Sequence, residues 1–327
     1  LNLNKIISEL KRITFVVPRL PVRAQIEVTN RCNLSCKMCL KLEEGTYKDI
    51  AFENFESIME QLSGIQILDL TSWGEPLLHP NFVEMVAYTS RKGIEPHFAT
   101  NGTLLDAKMQ KELIDAGIKG IIFSIDVVGR KSGEFFGHPP SKKVLDNLES
   151  LLKFREGKTP RVSISTCLYE GFADDLFGVV EYAGMHGVDG VNILRVDIGS
   201  SGEIKRYSWE EEQEILKEAG EIGKKAGIKV WSMFEAYRGY RKWVYRDRYL
   251  CPQTYDSIYI THEGDVVPCC KLSKLKMGNL FENNLSEIWL GDKFCSFRKN
   301  QLDYCGKCDI FKYRYKEWSE LERNILC

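Results

Sequence analysis

Three cysteines packed into eight residues are the feature of this 327-residue chain that most plainly implies chemistry. The stretch "CNLSCKMC" places Cys32, Cys36 and Cys39 at C-x3-C-x2-C spacing. Thiolates are ligands for zinc and for iron–sulfur clusters. A closed zinc site takes four ligands at tetrahedral corners. This loop supplies three, and the closest His or Cys beyond it in sequence is His79. Three thiolates can hold three irons of a [4Fe–4S] cluster and leave the fourth iron open to a substrate. The competing assignments are a zinc site completed from elsewhere, or three unrelated thiols. A second set follows near the C-terminus: Cys251, the adjacent pair Cys269 and Cys270, then Cys305 and Cys308 as C-x2-C. Cys167, Cys295 and Cys327 stand apart.

Elements of alternating type must position these groups. Strand-like runs occur at 24–29, 65–71, 95–100, 120–126, 161–168 and 190–196, and amphipathic helical runs separate them. Gly93 and Gly117 read as stops for the helices before the third and fourth strands. Six β-α units in series predict a parallel sheet with helices outside it. Right-handed crossovers curl such a sheet toward a barrel, and six units rather than eight predict an incomplete one. The predicted fold class is therefore α/β, a partial (β/α)6 TIM-like barrel. Chemistry in parallel α/β folds sits at the C-terminal ends of the strands, and the cysteine loop falls after the first. The predicted organisation is an N-terminal extension over 1–23 that reads as a short amphipathic helix, the barrel over 24–231, and a small α+β domain over 232–327. In that last part "DSIYITHEGDVVPCC" predicts a hairpin turning at Glu263 and Gly264, and "LSEIWLGDKFCSFRK" predicts a helix.

Bulk properties narrow the class. The chain is 43% hydrophobic and 28% charged, with a formal net charge of -1. That balance argues against nucleic acid as the main ligand, because phosphate binding leaves a basic excess. No apolar run is long enough to span a bilayer, and the first twenty residues lack the pattern of a signal peptide. Clustered cysteines in such a chain point to metal rather than disulfides. The expected location is the cytoplasm.

With C-x3-C-x2-C after the first strand of a partial barrel, the sequence resembles the radical S-adenosylmethionine (SAM) superfamily. The resemblance implies that SAM chelates the open iron through its amino and carboxylate groups. Reductive cleavage then gives methionine and a 5′-deoxyadenosyl radical, which takes a hydrogen atom from an unreactive C–H bond. The residue before the last Cys, commonly aromatic in the family, is Met38 here, an apolar wall suited to the adenine. "SWGEP" at 72–76 resembles the family's GGEP motif with Trp73 at the first Gly. By resemblance, backbone groups at Gly74 and the Glu75 carboxylate hold the SAM ammonium, while Asn101, Ser124 and Asp126 face the ribose and carboxylate. For Glu75 the alternative is a solvated side chain on an ordinary β-α turn. For Asn101 the alternative is a plain Asn-Gly turn. Ser124 and Asp126 share one face of their strand. Arg195 ends the sixth strand, where its guanidinium pairs either with the methionyl carboxylate or in a structural ion pair.

The C-terminal set resembles the SPASM extension or its shorter relative, the twitch domain. Cys251, Cys269, Cys305 and Cys308 would fully ligate one auxiliary [4Fe–4S] cluster. A structural zinc site from the same four is the alternative. The run "DIFKYRYKEW" after Cys308 has no cysteine, so it brings no ligands for a second auxiliary cluster. Cys270 competes with Cys269 as ligand, though hairpin alternation points it to the opposite face. Cys167 reads either as a packed core thiol or as a hydrogen-atom donor facing the substrate. His138 reads either as a proton acceptor above the barrel or as a loop residue shaped by the two prolines after it, and the aromatic and basic stretch at 237–249 reads as packing between the domains, with a substrate groove as the alternative.

The expected function is a radical SAM oxidoreductase that passes an electron from a small-molecule substrate radical to the auxiliary cluster. Its reductant would be flavodoxin or ferredoxin. The alternatives are a maturase acting on a peptide by thioether formation or epimerisation, and a non-catalytic iron–sulfur electron-transfer protein.

Overall fold

The computed structural model describes residues 17, 20–36, 38–39, 47–128, 142–196, 204–232, 251–305 and 308. The N-terminal helix expected before residue 20, His138, the stretch at 237–249 and Cys327 lie outside the described residues. The chain separates into two compact units. One combines Ile26–Phe52 with Ile67–Glu235, and the other combines Leu1–Gln25, Glu53–Gln66 and Ala236–Cys327.

The first unit is α/β. Its strands are β2 (Ile67–Asp69), β3 (Glu95–Thr100), β4 (Gly120–Ser124), β5 (Arg161–Leu168), β6 (Gly190–Arg195) and β7 (Lys229–Ser232), neighbours in sequence order. From β2 to β7 every pairing is parallel, the order expected of an open (β/α) barrel wound by consecutive crossovers. Helices Phe82–Arg91, Ala107–Asp115, Lys142–Phe154, Ala173–Met185 and Trp209–Lys225 join them. The helix starts follow from local chemistry. Asp106 caps one by accepting from the Met109 amide, and Ser208 with Glu211 forms a capping box on another. The helices bury apolar stripes such as Val144, Leu148 and Leu151 against strand residues including Phe98, Ile121 and Phe123 in the core. The strand β7, which pairs with β6, goes beyond the six expected. Its four residues "KVWS" are too short to carry a visible alternation.

In the second unit the strand order is β10 (Gly278–Asn279), β9 (Asp265–Val267), β8 (Ser257–Ile260) and β1 (Arg23–Ile26). The predicted hairpin is present: β8 and β9 are antiparallel, and Gly264 takes φ +80 in the turn. The predicted helix over 285–299 is two helices, Leu285–Leu290 and Asp292–Lys299. The break is at Gly291, whose ψ of 164 is extended. A further short helix, Gln301–Cys305, leads to the final C-x2-C pair. Trp289, Phe294 and Phe297 form the aromatic core here. Among the described residues no helix is long and apolar enough to cross a membrane.

Candidate functional site

The cysteine loop leaves the chain just beyond β1 and is closed at its base by an antiparallel stem. Ile50 N donates to Val28 O at 3.0 Å, Asn30 N donates to Lys48 O at 3.2 Å, and Thr29 bridges Asp49. Side chains lock this stem. The Asp49 carboxylate accepts from the Thr29 hydroxyl at 2.6 Å and from Arg31 Nε and Nη2 at 2.9 and 2.5 Å. Arg31 also reaches Leu78 O at 2.8 Å. Burial opposes the Asp49 charge, but the bonds from Arg31 and Thr29 outweigh it and hold the carboxyl below its ordinary range.

Cys32 is exposed, while Cys36 and Cys39 are half-buried. Burial, then the nearby Cys39 and Cys32, then Asp126, push the Cys36 thiol up to about 11. A loop that raises the cost of thiolate charge is one that a cationic metal centre completes, because metal binding and thiol deprotonation are linked. Three sulfurs in one loop therefore fit an iron–sulfur cluster as donor set and as electrostatic environment. His79, the closest imidazole in sequence, is committed elsewhere. It is 4% exposed, with Nε2 at 2.9 Å from Ile50 O and Nδ1 accepting from the Asn81 amide at 3.1 Å. Among the described residues no three His, Cys, Asp or Glu side chains converge as a single-ion site.

The loop after β2 packs on this stem. Glu75 N donates to Arg31 O at 2.7 Å, and Ser72 Oγ donates to Thr29 O at 2.7 Å. Gly74 is required by that contact: a Cβ there would lie 2.5 Å from Thr29 O and 2.6 Å from Arg31 O. The Glu75 side chain, 2% exposed, turns inward rather than into solvent. Its Oε1 accepts from Thr100 Oγ1 at 2.8 Å and from Leu77 N at 3.2 Å, and its Oε2 accepts from Asn101 N at 2.8 Å. Burial raises its pKa, and these bonds oppose the rise. Glu75 thus ties the β2 loop to the β3 loop.

Asn101 continues the chain of contacts. Its Nδ2 donates to Asn33 Oδ1 at 2.9 Å, and its Oδ1 accepts from Thr103 N and Oγ1 at 3.0 and 2.6 Å. Asn33, inside the cysteine loop, donates in turn to Thr103 Oγ1 at 2.8 Å. Asn33, Thr103, Arg31 and Asp49 are missing from the expectations above. The readable signal for the last two is opposite charge at the two feet of the cysteine loop.

Near Cys36, just beyond the end of β4, Asp126 Oδ1 accepts from Cys167 N at 2.7 Å. Burial pushes the Asp126 carboxyl up to about 6 against that bond. Cys167 is half-buried and packs on Tyr169, Val196 and Ile204, as Met38 does. Burial, then Asp126 and Cys36, raise its thiol well above the ordinary value, which places these three groups near one another. Ser124 is exposed at the end of β4, beside Ser165 of β5. Arg195 takes the ion-pair alternative: its Nε donates to Glu212 Oε1 at 2.9 Å, and Glu212 is buried.

The second cysteine set is held by buried polar groups. Cys251 N donates to Gln301 Oε1 at 2.5 Å, Gln301 Nε2 donates to Thr254 Oγ1 at 2.7 Å, and Thr254 Oγ1 donates to Cys251 O at 2.8 Å. That triangle draws Cys251 toward the helix ending at Cys305, and Cys308 N donates back to Cys305 O at 2.8 Å. Cys269 Sγ accepts from Lys271 N at 3.3 Å. The expectation that Cys270 points away from Cys269 is corrected. The strand β9 ends at Val267 and Cys270 opens a 3₁₀ turn, so alternation does not extend to it. The two thiols share a hydrogen bond that raises Cys269 and lowers Cys270.

The radical SAM superfamily model matches residues 26–180, and the iron–sulfur cluster-binding SPASM domain model matches residues 251–309. With the three-cysteine loop and the second cysteine set in those segments, the chain belongs to the radical SAM superfamily and carries a SPASM domain. Such proteins hold [4Fe–4S] clusters and bind SAM. One relative is the tungsten-containing aldehyde ferredoxin oxidoreductase cofactor-modifying protein of Pyrococcus furiosus. It is 24% identical, over 87% of this chain and 86% of its own length. The sporulation killing factor maturation protein SkfB of Bacillus subtilis is 25% identical, over 82% of this chain and 65% of its own. Among solved structures, SuiB of Streptococcus suis bound to the precursor peptide SuiA shares the fold. Its TM-score is 0.74 at 16% identity, over 95% of this chain and 74% of that one.

Proposed function

We propose that this chain is an oxidising radical SAM enzyme. Cys32, Cys36 and Cys39 hold the SAM-binding cluster, and Cys251, Cys269, Cys305 and Cys308 hold an auxiliary cluster. When bound, these groups supply a 5′-deoxyadenosyl radical for hydrogen-atom abstraction and a one-electron acceptor for the substrate radical, with flavodoxin or ferredoxin as reductant. The protein's part is placement. The Thr29–Arg31–Asp49 clamp fixes the base of the cysteine loop, and Asn33 and Asn101 pin its side. Gly74 keeps the β2 loop pressed on the stem, leaving backbone groups of that loop beside the cysteines for the SAM ammonium. Ser124 and Asp126 lie at the C-terminal end of β4 for the ribose and carboxylate. Arg195, at the C-terminal end of β6, is held there by Glu212. A fully thiolate-ligated auxiliary site has no open iron for substrate, which favours electron transfer there over substrate binding.

The observation that carries the reading is the three-thiol loop whose closest imidazole in sequence, His79, has both ring nitrogens engaged by backbone. Anaerobically reconstituted protein with dithionite and SAM is expected to release 5′-deoxyadenosine, and Cys36→Ala is expected to release none. Equal release from both proteins would refute the assignment. The substrate in this proposal is a small molecule undergoing loss of two hydrogens. The similarity to SkfB, a maturation protein, and the fold shared with peptide-bound SuiB favour a peptide as second reading. Mass analysis of reaction mixtures separates them, by whether the mass loss falls on a peptide.

A further inference from the structure

The second unit buries a cation beside the auxiliary ligands. Arg298 is 3% exposed, yet among the described residues no carboxylate stands within salt-bridge distance of it. Its Nε donates to Thr254 O at 3.0 Å, and its Nη1 donates to Trp289 O at 2.7 Å, in the last turn of the helix Leu285–Leu290. Its guanidinium carbon lies 4.0 Å from the centroid of Trp289 and 4.2 Å from that of Phe294. Nη2 is buried with no hydrogen-bond partner among protein nitrogen and oxygen atoms, while the Cys295 thiol hydrogen-bonds the guanidinium and the Tyr255 hydroxyl group lies near it. Thr254 bonds Cys251 directly, so two hydrogen bonds separate the guanidinium from a cluster ligand.

Helix-end carbonyls and aromatic faces offset part of the cost of burying this charge. A buried cation with no carboxylate partner still costs several kcal/mol, and buried charges are as a rule paired or set beside a metal centre. Four thiolates around a [4Fe–4S] core give a net anion that becomes more negative on reduction. We propose that Arg298 is a positioning residue for the auxiliary site: it seats the Cys251 turn through Thr254, and its fixed positive charge favours the reduced cluster. This rests on the auxiliary cluster of the proposed function. Charge and hydrogen bonding around a cluster are established means of setting its potential.

The test is an EPR-monitored redox titration of the reconstituted full chain, comparing wild type with Arg298→Gln and Arg298→Lys. Arg298→Gln is expected to lower the auxiliary potential by at least a tenfold change in the reduced-to-oxidised ratio at fixed potential, or about 59 mV for one electron. The N-terminal cluster in the same sample should not move, and Arg298→Lys should keep most of the wild-type potential. An unchanged auxiliary potential in Arg298→Gln overturns the proposal. If Arg298→Gln fails to assemble the auxiliary cluster, assembly by Arg298→Lys near the wild-type potential still supports the charge. Equal failure of both variants overturns it in favour of packing alone. If wild type itself assembles no auxiliary cluster, the proposed function fails, and the Arg298 proposal fails with it.

Discussion

Replacing Gly74 with Ala probes the contact between the β2 loop and the cysteine stem. The added methyl would sit 2.5 Å from Thr29 O, 2.6 Å from Arg31 O and 2.9 Å from the carbonyl carbon of Asn30. Carbon contacts are comfortable near 3.5–4.0 Å, so a shift of roughly 1 Å is needed, and every obstacle is backbone. Overpacking of this kind costs about 1–3 kcal/mol. The shift also strains two hydrogen bonds accepted by the same carbonyls, Glu75 N to Arg31 O and Ser72 Oγ to Thr29 O, both 2.7 Å. At about 1 kcal/mol each, the total comes to roughly 3–5 kcal/mol. With a few degrees of melting temperature per kcal/mol in a unit of this size, the barrel should melt on the order of 10 °C lower. Reconstituted protein should also bind less iron at the N-terminal site. Gly220→Ala is the matched control, because its site is helical and nothing lies within 4 Å of the new methyl. It should be stabilised by about 0.5–1 kcal/mol. A Gly74→Ala protein that melts with wild type and cleaves SAM at the wild-type rate would refute the wedge argument.

Asp49→Asn removes the charge that Arg31 and Thr29 bind and should cost about 1 kcal/mol, discounted for partial exposure of the pair. In wild type the native Asp49 value is depressed, so its contribution is complete above the ordinary value of 3.8. It is lost as pH falls through the lower native value, and acid titrations of stability should show this loss in wild type but not in Asp49→Asn. Asp189→Asn leaves buried Arg155 without its charge partner and weakens the bond that Val162 N donates at 2.7 Å. Urea melts should register a loss of about 3–5 kcal/mol. Cys305→Ala should keep uncoupled SAM cleavage while product formation and auxiliary iron are lost; normal turnover would remove the electron-acceptor role.

The regular part of this molecule was readable because local and tertiary preferences agree there. The run at 161–168 is β5 to the residue, and the helix over 107–115 begins where Asp106 caps it. The cysteine positions were readable because spacing alone encodes them. What failed did so for local reasons. Gly291 interrupts an apolar pattern that looks continuous, and β7 offers too few residues to alternate. The partners of Glu75 and Asn101 could not be read, because both point across the barrel end to residues far away in sequence. The Arg31–Asp49 clamp was hidden for the same reason, although its two charges flank the loop they close.

The stem beneath the cysteine loop is made wholly of protein groups, from the Ile50–Val28 backbone bond to the Arg31 fork on Asp49. Its feet stay joined whatever fills the loop. Closure entropy grows only with the logarithm of loop length, by about 0.6 kcal/mol per doubling. Oxygen damage that strips the iron should therefore leave an intact scaffold with an empty handle, ready for repair by fresh iron and sulfide rather than by resynthesis of the chain.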